Sequence, residues 1–345
     1  TIGFKDFTSL LDGNKDELKE LMGQFRDLYD GHVTKVTGTG EEIAWKGKMG
    51  FIAGCTPIIE QRMSMVGAMG ERFLNYKMIS PTRKDMREKM RSNIGHEGTM
   101  RDEIQNVFAG YQKGIVIPAV LPTIPEEVDR MIESMTDFIA ISRAVIMRGM
   151  DTKREIEYIV EPEMSSRTYK QLYTLGMALM IMNGGTWTEV DTYILRHLAV
   201  SSIHSMRLNL IMHALKFKTQ VKTQTFATEL GYPTSTTRRY LEDLTAISMD
   251  AGRVKILKRV YQGKGKPDLW EITPEMREIL GTMGINVEAT REDDGFQETE
   301  EDRPIGESSQ DIEDAEQIAA YQSMMEPEPQ DSGVSHDVTT NEQLL

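Results

Sequence analysis

"GFIAGCTPIIEQRMSMVGAMGERFL" runs from Gly50 to Leu74. The apolar run Met49–Ala53 stops at Cys55-Thr56-Pro57. A short apolar run closed by turn residues reads as a buried strand. Proline suits the first turn of a helix because its missing N–H has no partner there. The sequence therefore predicts a strand ending in Thr56, a helix over 58–70, and Arg72 set before two large apolar residues, Phe73 and Leu74.

The pattern extends on both sides. Upstream, Ile2 to Phe4 read as strand. Residues 14–29 place Leu18, Leu21, Met22, Phe25, Leu28 and Tyr29 on one helical face. "HVTKVTGTGEEIAWKG" reads as a hairpin about a Gly-Thr-Gly turn. Downstream, residues 81–112 read as helix with a break near Asn93 to Gly98. Pro118, Pro122 and Pro125 punctuate a crossing segment, and Pro125 opens a helix to about Met147. A helix from Ser166 ends at Asn183-Gly184-Gly185, and another follows Thr188. From Ser201 a helix to Phe217 precedes a short helix Gln224–Leu230, a Gly231-Tyr232-Pro233 turn and a helix Ser235–Ala246. Alternating apolar residues (Val254 to Tyr261), a "GKGKP" turn and "DLWEIT" then complete a hairpin. Helix, helix-turn-helix and hairpin in this order predict a winged helix over 201–282.

The net charge of −14 conceals a division. Residues 281–345 hold two basic against 18 acidic residues, a balance of −16, whereas residues 201–280 hold 13 basic against 8 acidic, or +5. The acidic stretch 283–345 is poor in apolar residues and is predicted to be disordered. No run of about 18 apolar residues predicts a membrane span. One cysteine, Cys55, excludes an internal disulfide framework and points to a reducing, cytoplasmic setting. The 24 methionines read as core filling. His197, His204 and His213 lack metal-ligand spacing and read as ordinary residues.

A strand closed by a polar residue and proline, then a helix, then Glu71-Arg72-Phe73, resembles the core of an AAA+ ATPase, nearest to the MoxR and minichromosome-maintenance branch. The resemblance covers about residues 1–200, with little likeness over 80–160. It implies an α/β fold with an added α part: the C-terminal part of a P-loop NTPase core (1–80), then a helical connector and lid (81–200). Thr56 matches the sensor 1 residue, whose hydroxyl orients attacking water. Arg72 matches an arginine that reaches a neighbouring subunit's nucleotide, which implies a homo-oligomeric ring. Asp6 matches the strand-end carboxylate that helps to hold Mg²⁺. Arg167, in "SSRTYKQLYTLGMALMIMNGGTWTEVDTYIL", matches the lid arginine that contacts ATP phosphate. The pattern departs at Phe7, where a second acid is expected, or at Lys5 if Asp6 is itself the second; Asp12 and Asp30 are the nearby substitutes. Taken alone, Asp6 is a helix N-cap and Arg72 a surface charge beside a core aromatic.

No G-x-x-x-x-G-K-S/T occurs in the 345 residues. The chain begins at Thr1, not Met, and reads as a fragment whose phosphate cradle lies upstream, so that it is inactive alone. In the helix-turn-helix, Thr236, Thr237, Arg238 and Arg239 stand where such modules enter the major groove. Lys255, Lys258, Arg259, Lys264 and Lys266 fall on the wing, where they neutralise phosphates. The expectation is an ATP- and Mg²⁺-dependent, DNA-associated motor, helicase-like or replication-related, of a phage or mobile element. The alternatives are a MoxR-like protein-remodelling ATPase and a non-catalytic winged-helix transcription regulator.

Overall fold

Ile2–Phe4 and Phe51–Ala53 form a two-stranded parallel pair, Ile2 opposite Phe51 and Phe4 opposite Ala53. Parallel neighbours require a crossover. Helix Lys15–Asp30 and the antiparallel hairpin His32–Val36/Glu42–Lys46 lie within it. The helix starts where the Asn14 side chain accepts from Asp16 N–H and ends at Gly31, whose φ of 93° lies in the left-handed region. Its inner face buries Leu18 and Met22 beside Phe7, against the partly buried Phe4, Phe25 and Phe51. The Phe25 and Phe51 ring centroids are 4.9 Å apart.

The computed structural model describes residues 1–11, 14–36, 38, 40, 42–60, 72–78, 82–149, 154–162, 164–263 and 266–293. The predicted helix beyond Glu60, Asp12, Glu71, the wing residue Lys264 and the acidic tail from Asp294 lie outside the described residues.

The helical region breaks where expected, giving Arg83–Asn93 and Glu97–Gly114. Helix Glu126–Arg143 then buries Met131, Ile132, Met135, Phe138, Ile139 and Ile141. The sequence predicts this helix to Met147, but it stops four residues earlier. Val145 and Ile146 favour extended backbone, and Ile146–Arg148 pairs antiparallel with Ile156–Ile159. Helix Ser166–Met182 closes at Asn183, before Gly184 and Gly185 at φ 69° and 94°. Helix Glu189–Ser201 opens with a capping box: Asp191 Oδ2 accepts from Thr188 N–H while Thr188 Oγ1 accepts from Asp191 N–H.

Helix Ser205–Ala214, strand Val221–Lys222, helix Thr223–Leu230, helix Thr234–Ala246 and strands Leu257–Val260 and Leu269–Ile272 follow. The last two strands pair antiparallel, and Leu269–Ile272 also pairs with Val221–Lys222. One further helix, Pro274–Thr282, packs on Glu126–Arg143. A single apolar core therefore runs from Ile124 to Met283, with no break in packing at the expected boundary of 200/201. The chain is mixed α/β, mainly helical with small sheets.

The prediction of disorder from residue 283 is corrected for residues 283–293. Met283 is fully buried. Lys218 N–H donates to Arg291 O at 2.9 Å and Arg291 N–H to Lys216 O at 3.1 Å. Asp293 accepts from Lys222 N–H at 2.9 Å and from the Thr225 hydroxyl at 3.1 Å. The acidic composition conceals this docking, in which backbone and carboxylate bonds act beside Met283, Ile285 and Val287, which pack on the core. A chain ending at Asp293 should match the stability of residues 1–345 in urea. Ending it at Thr282 should cost about 3 kcal/mol or more, from Met283 burial at about 1.5–3 kcal/mol and hydrogen bonds at about 1 kcal/mol each.

Candidate functional site

The parallel strands deliver two of the predicted residues to one place. Asp6 and Thr56 lie just beyond the C-terminal ends of Ile2–Phe4 and Phe51–Ala53. Thr8 joins them: its N–H donates to Asp6 Oδ1 at 2.9 Å, and its Oγ1 accepts from Thr56 N–H at 3.0 Å. The Thr8 hydroxyl also lies 3.3 Å from Thr56 Oγ1. Asp6 thus caps the short helix Thr8–Leu11. Sequence reading passed over Thr8, whose importance depends on a contact 48 residues away in the chain. Burial, with the Asp6 charge adding to it, pushes the neighbouring Cys55 thiol up, away from reactive thiolate.

Asp6, Thr8 and Thr56 offer only oxygen donors, the kind that Mg²⁺ selects. One carboxylate with an engaged oxygen is an incomplete ligand set. These residues fit Mg²⁺ only as partners to phosphate oxygens. Phe7, at the place of the expected second acid, is 5% exposed and packs against Phe4 and Phe51. A carboxylate there would be buried among aromatic rings at high desolvation cost.

Arg72 and Arg167 belong to a second grouping. The Arg72 side chain is 7% exposed and its Nη2 lies 3.3 Å from Asp30 Oδ2. Its carbonyl accepts from Gln171 Nε2 at 2.6 Å. Gln171 stands one turn after Arg167 in helix Ser166–Met182, so the two arginines share one helix as support. Arg167 is half-buried in the first turn. From Phe73 onward the chain is stitched to the helices. Phe73 O accepts from Arg143, Asn75 N–H donates to Ser202 Oγ, and Lys77 Nζ donates to Ile203 O.

The basic face forms on helix Thr234–Ala246 and the hairpin. Arg238, Lys255, Lys258, Arg259 and Lys266 are exposed, and Thr236 and Arg239 half-buried. Thr237 is corrected: it is fully buried, its hydroxyl donates to Pro233 O at 3.0 Å, and it cannot present itself to a ligand. Its period on the helix matched the inner face, a signal that a run of hydroxyl residues obscured. Asp268 was missed. Its carboxylate accepts from Arg238 Nη2 at 2.9 Å and from Arg259 Nε and Nη2 at 2.9 and 2.8 Å. Asp268 therefore holds together two of the predicted phosphate contacts, one from the helix and one from the hairpin.

An open cleft of about 1000 Å³ lies between helix Glu126–Arg143, the start of Ser166–Met182 and the turn Asp250–Gly252. Glu133, Asp137, Glu161 and Asp250 line it. Burial pushes the Asp137 carboxyl up, and Asp250 and Glu133 add to the rise. So acidic a lining repels phosphate. Among the described residues, no group of three or more His, Cys, Asp or Glu side chains is placed to hold a metal ion. No helix among them is long and apolar enough to cross a membrane. No protein family, curated protein or solved structure matches this chain.

His197, His204 and His213 act in packing. His197 Nε2 lies 2.8 Å from Lys77 O. His213 is buried against Phe217 and Phe226, with Glu229, Lys216 and Arg291 nearby; burial pushes its pKa down. His204, near Glu60, Arg207 and Lys77, is lowered by burial as well. A lowered folded pKa means that the unfolded chain binds more protons below the ordinary histidine value of 6.5. Stability should be level above that pH and fall as pH drops below it. Urea unfolding at pH 7.5 and 5.5 should show the loss, and His213→Phe should reduce it.

Proposed function

We propose that this chain is the DNA-associated part of an ATP-driven AAA+ motor, helicase-like or replication-related, in which a winged helix over 201–282 binds duplex DNA. The observation that carries the ATPase part is the junction of Asp6 and Thr56 through Thr8, at the ends of adjacent parallel strands. A nucleotide motor needs one carboxylate for the metal and one polar group for water at the same strand edge. In this reading Arg72 acts on a neighbouring copy in a homo-oligomeric ring, and doing so requires release from Asp30. Arg167 contacts ATP phosphate in its own subunit. The chain contains no P-loop sequence, so hydrolysis depends on a phosphate cradle that these residues do not supply.

The DNA part is supported by the order helix, strand, helix, helix, hairpin, and by a sheet in which Leu269–Ile272 lies between Leu257–Val260 and Val221–Lys222. Arg238, Arg239, Lys255, Lys258, Arg259 and Lys266 then meet phosphates or base edges. A second reading, a non-catalytic winged-helix regulator, is favoured by one observation. Phe7 fills a core position where hydrolysis calls for an acid.

Five measurements test the proposal. Residues 1–345 should bind ATP no better than millimolar, since Thr56 and Arg167 cannot replace a ring of backbone amides; micromolar affinity would overturn the split site. Duplex DNA should bind with a steep salt dependence. Arg238→Ala with Arg239→Ala should cost about 1–3 kcal/mol if either reads a base edge. Asp268→Asn frees Arg259, leaves Arg238 only its Glu242 pair, and should tighten binding, steepening the log–log salt slope by about 1 unit. Removing residues 294–345, with one basic and 15 acidic residues, should also tighten binding, most at low salt. Absence of DNA binding at low salt, with or without the tail, would assign the unit to protein docking.

A further inference from the structure

Helices Arg83–Asn93 and Glu97–Gly114 bury none of their residues against the rest of the chain. Helices of 11 and 18 residues gain little stability from propensity alone. In proteins such helices persist because an apolar face is covered. The longer one carries that face. Met100, Ile104, Val107 and Tyr111 recur at intervals of four, three and four, with Phe108 alongside. All five are exposed, from 37% at Met100 to 73% at Val107. Met86 and Met90 in the shorter helix continue the same seven-residue phase, and both are exposed. Polar Asn93 and Glu97 occupy the seam only at the break between the helices.

A seam of alternating three- and four-residue steps is self-complementary: it packs best against another helix with the same spacing. The amount of apolar surface agrees. Val116, Ile117 and Val120 extend it and are 75–84% exposed. A fully exposed apolar side chain offers roughly 60–120 Å². The seam and these three residues therefore present roughly 300–600 Å², a large part of the ~800 Å² that each partner gives up in a standard interface. Tyr111 is also tied at its hydroxyl to Met182 O, at 3.3 Å, which anchors the far end of the long helix to the body. An anchored stripe of this area has the dimensions of an interface half.

We infer that the arm formed by residues 83–121 is a self-association surface, in which the Met100–Tyr111 seam packs against the same seam of a second copy of this chain. The inference adds a two-fold contact to the homo-oligomer part of the proposed function, distinct from the head-to-tail contact that a ring requires, and rests on none of its nucleotide chemistry. Because none of these side chains is buried within one copy, substituting them removes the contact and leaves the subunit intact.

Sedimentation velocity of residues 1–345, without nucleotide and over a concentration series, tests it. The unaltered chain should self-associate. Ile104→Lys with Phe108→Lys should weaken the association by at least about thirty-fold, the size of a hot-spot loss. Asn106→Lys, on the opposite side of the same helix, should leave it unchanged. Circular dichroism melts of the variants should match the unaltered chain at concentrations where all are monomeric. In a Cys55→Ser background, Val107→Cys should give a disulfide-linked dimer on oxidation. An oligomer that resists Ile104→Lys with Phe108→Lys would overturn the arm while leaving a ring in place. An unaltered chain that is monomeric throughout would overturn the arm. Association lost equally in Asn106→Lys would show a general charge effect and would also overturn the seam.

Discussion

The C-terminal end of helix Glu126–Arg143 is the constraint on which the rest of the fold depends. Helix ends leave carbonyls without partners, and buried cations near them are favoured. Arg207 meets that need here, while Arg143 of the same helix end donates to carbonyls of other segments. Arg207, whose side chain is 12% exposed, donates to Ser142 O and Ala144 O at 2.9 and 2.7 Å. Arg143 donates to Ser202 O at 2.6 Å and to Phe73 O at 3.3 Å. One helix end thereby joins the segment from Phe73, the helices up to Ser202 and the helix that starts at Ser205. The same helix carries the largest buried side chain of its region, Phe138, against a core that reaches Met283.

Charge burial continues from this junction into the basic face. Asp243, in helix Thr234–Ala246, faces Arg207 at 4.0 Å and accepts from Arg148 at 2.6 Å. Burial pushes the Asp243 carboxyl up and the Arg207 guanidinium down, while each opposite charge counters the other's shift. Such groups add little net stability, but separating them leaves an uncompensated charge in a poor medium. Arg148 also donates to Arg239 O at 3.0 Å. The hairpin Ile146–Arg148/Ile156–Ile159 therefore sets the position of the helix bearing Arg238 and Arg239. Nearer the surface, Asp268 clamps Arg238 to Arg259. The basic face is thus organised by carboxylates that also mask part of its charge.

Much of this was legible in the chain itself. The break at Asn93 to Gly98, the hairpin about Gly38 and Gly40, the stop at Gly184-Gly185 and the helix after Thr188 all follow from local chemistry. Each is a turn, a cap or a left-handed glycine that acts within a few residues. Alternation from Val254 to Tyr261 marked its strands for the same reason. Asp6 and Thr56 were each singled out by resemblance, at strand ends; that Thr8 joins them was not. Thr237 was misjudged because a polar residue type outweighed its place on the inner face of the helix.

What the sequence determined by itself was the set of elements, their order and the uneven charge along the chain, since propensity, periodicity and composition are properties of neighbours. Tertiary structure alone decided which of those elements share a core, why Phe7 is apolar, and which arginines are held. Helix Glu126–Arg143 ends at residue 143 because a partner strand takes the next residues. Residues 283–293 are ordered because groups far earlier in the chain meet them: Lys216 O accepts from Arg291 N–H, and Lys218 N–H, Lys222 N–H and the Thr225 hydroxyl donate to Arg291 O and Asp293. Thr8 joins Asp6 to Thr56, and Asp268 joins Arg238 to Arg259, through contacts that span 48 and 30 residues. Contacts at such separations leave no periodic trace in a sequence, because the groups that satisfy each other become neighbours only when the chain has folded.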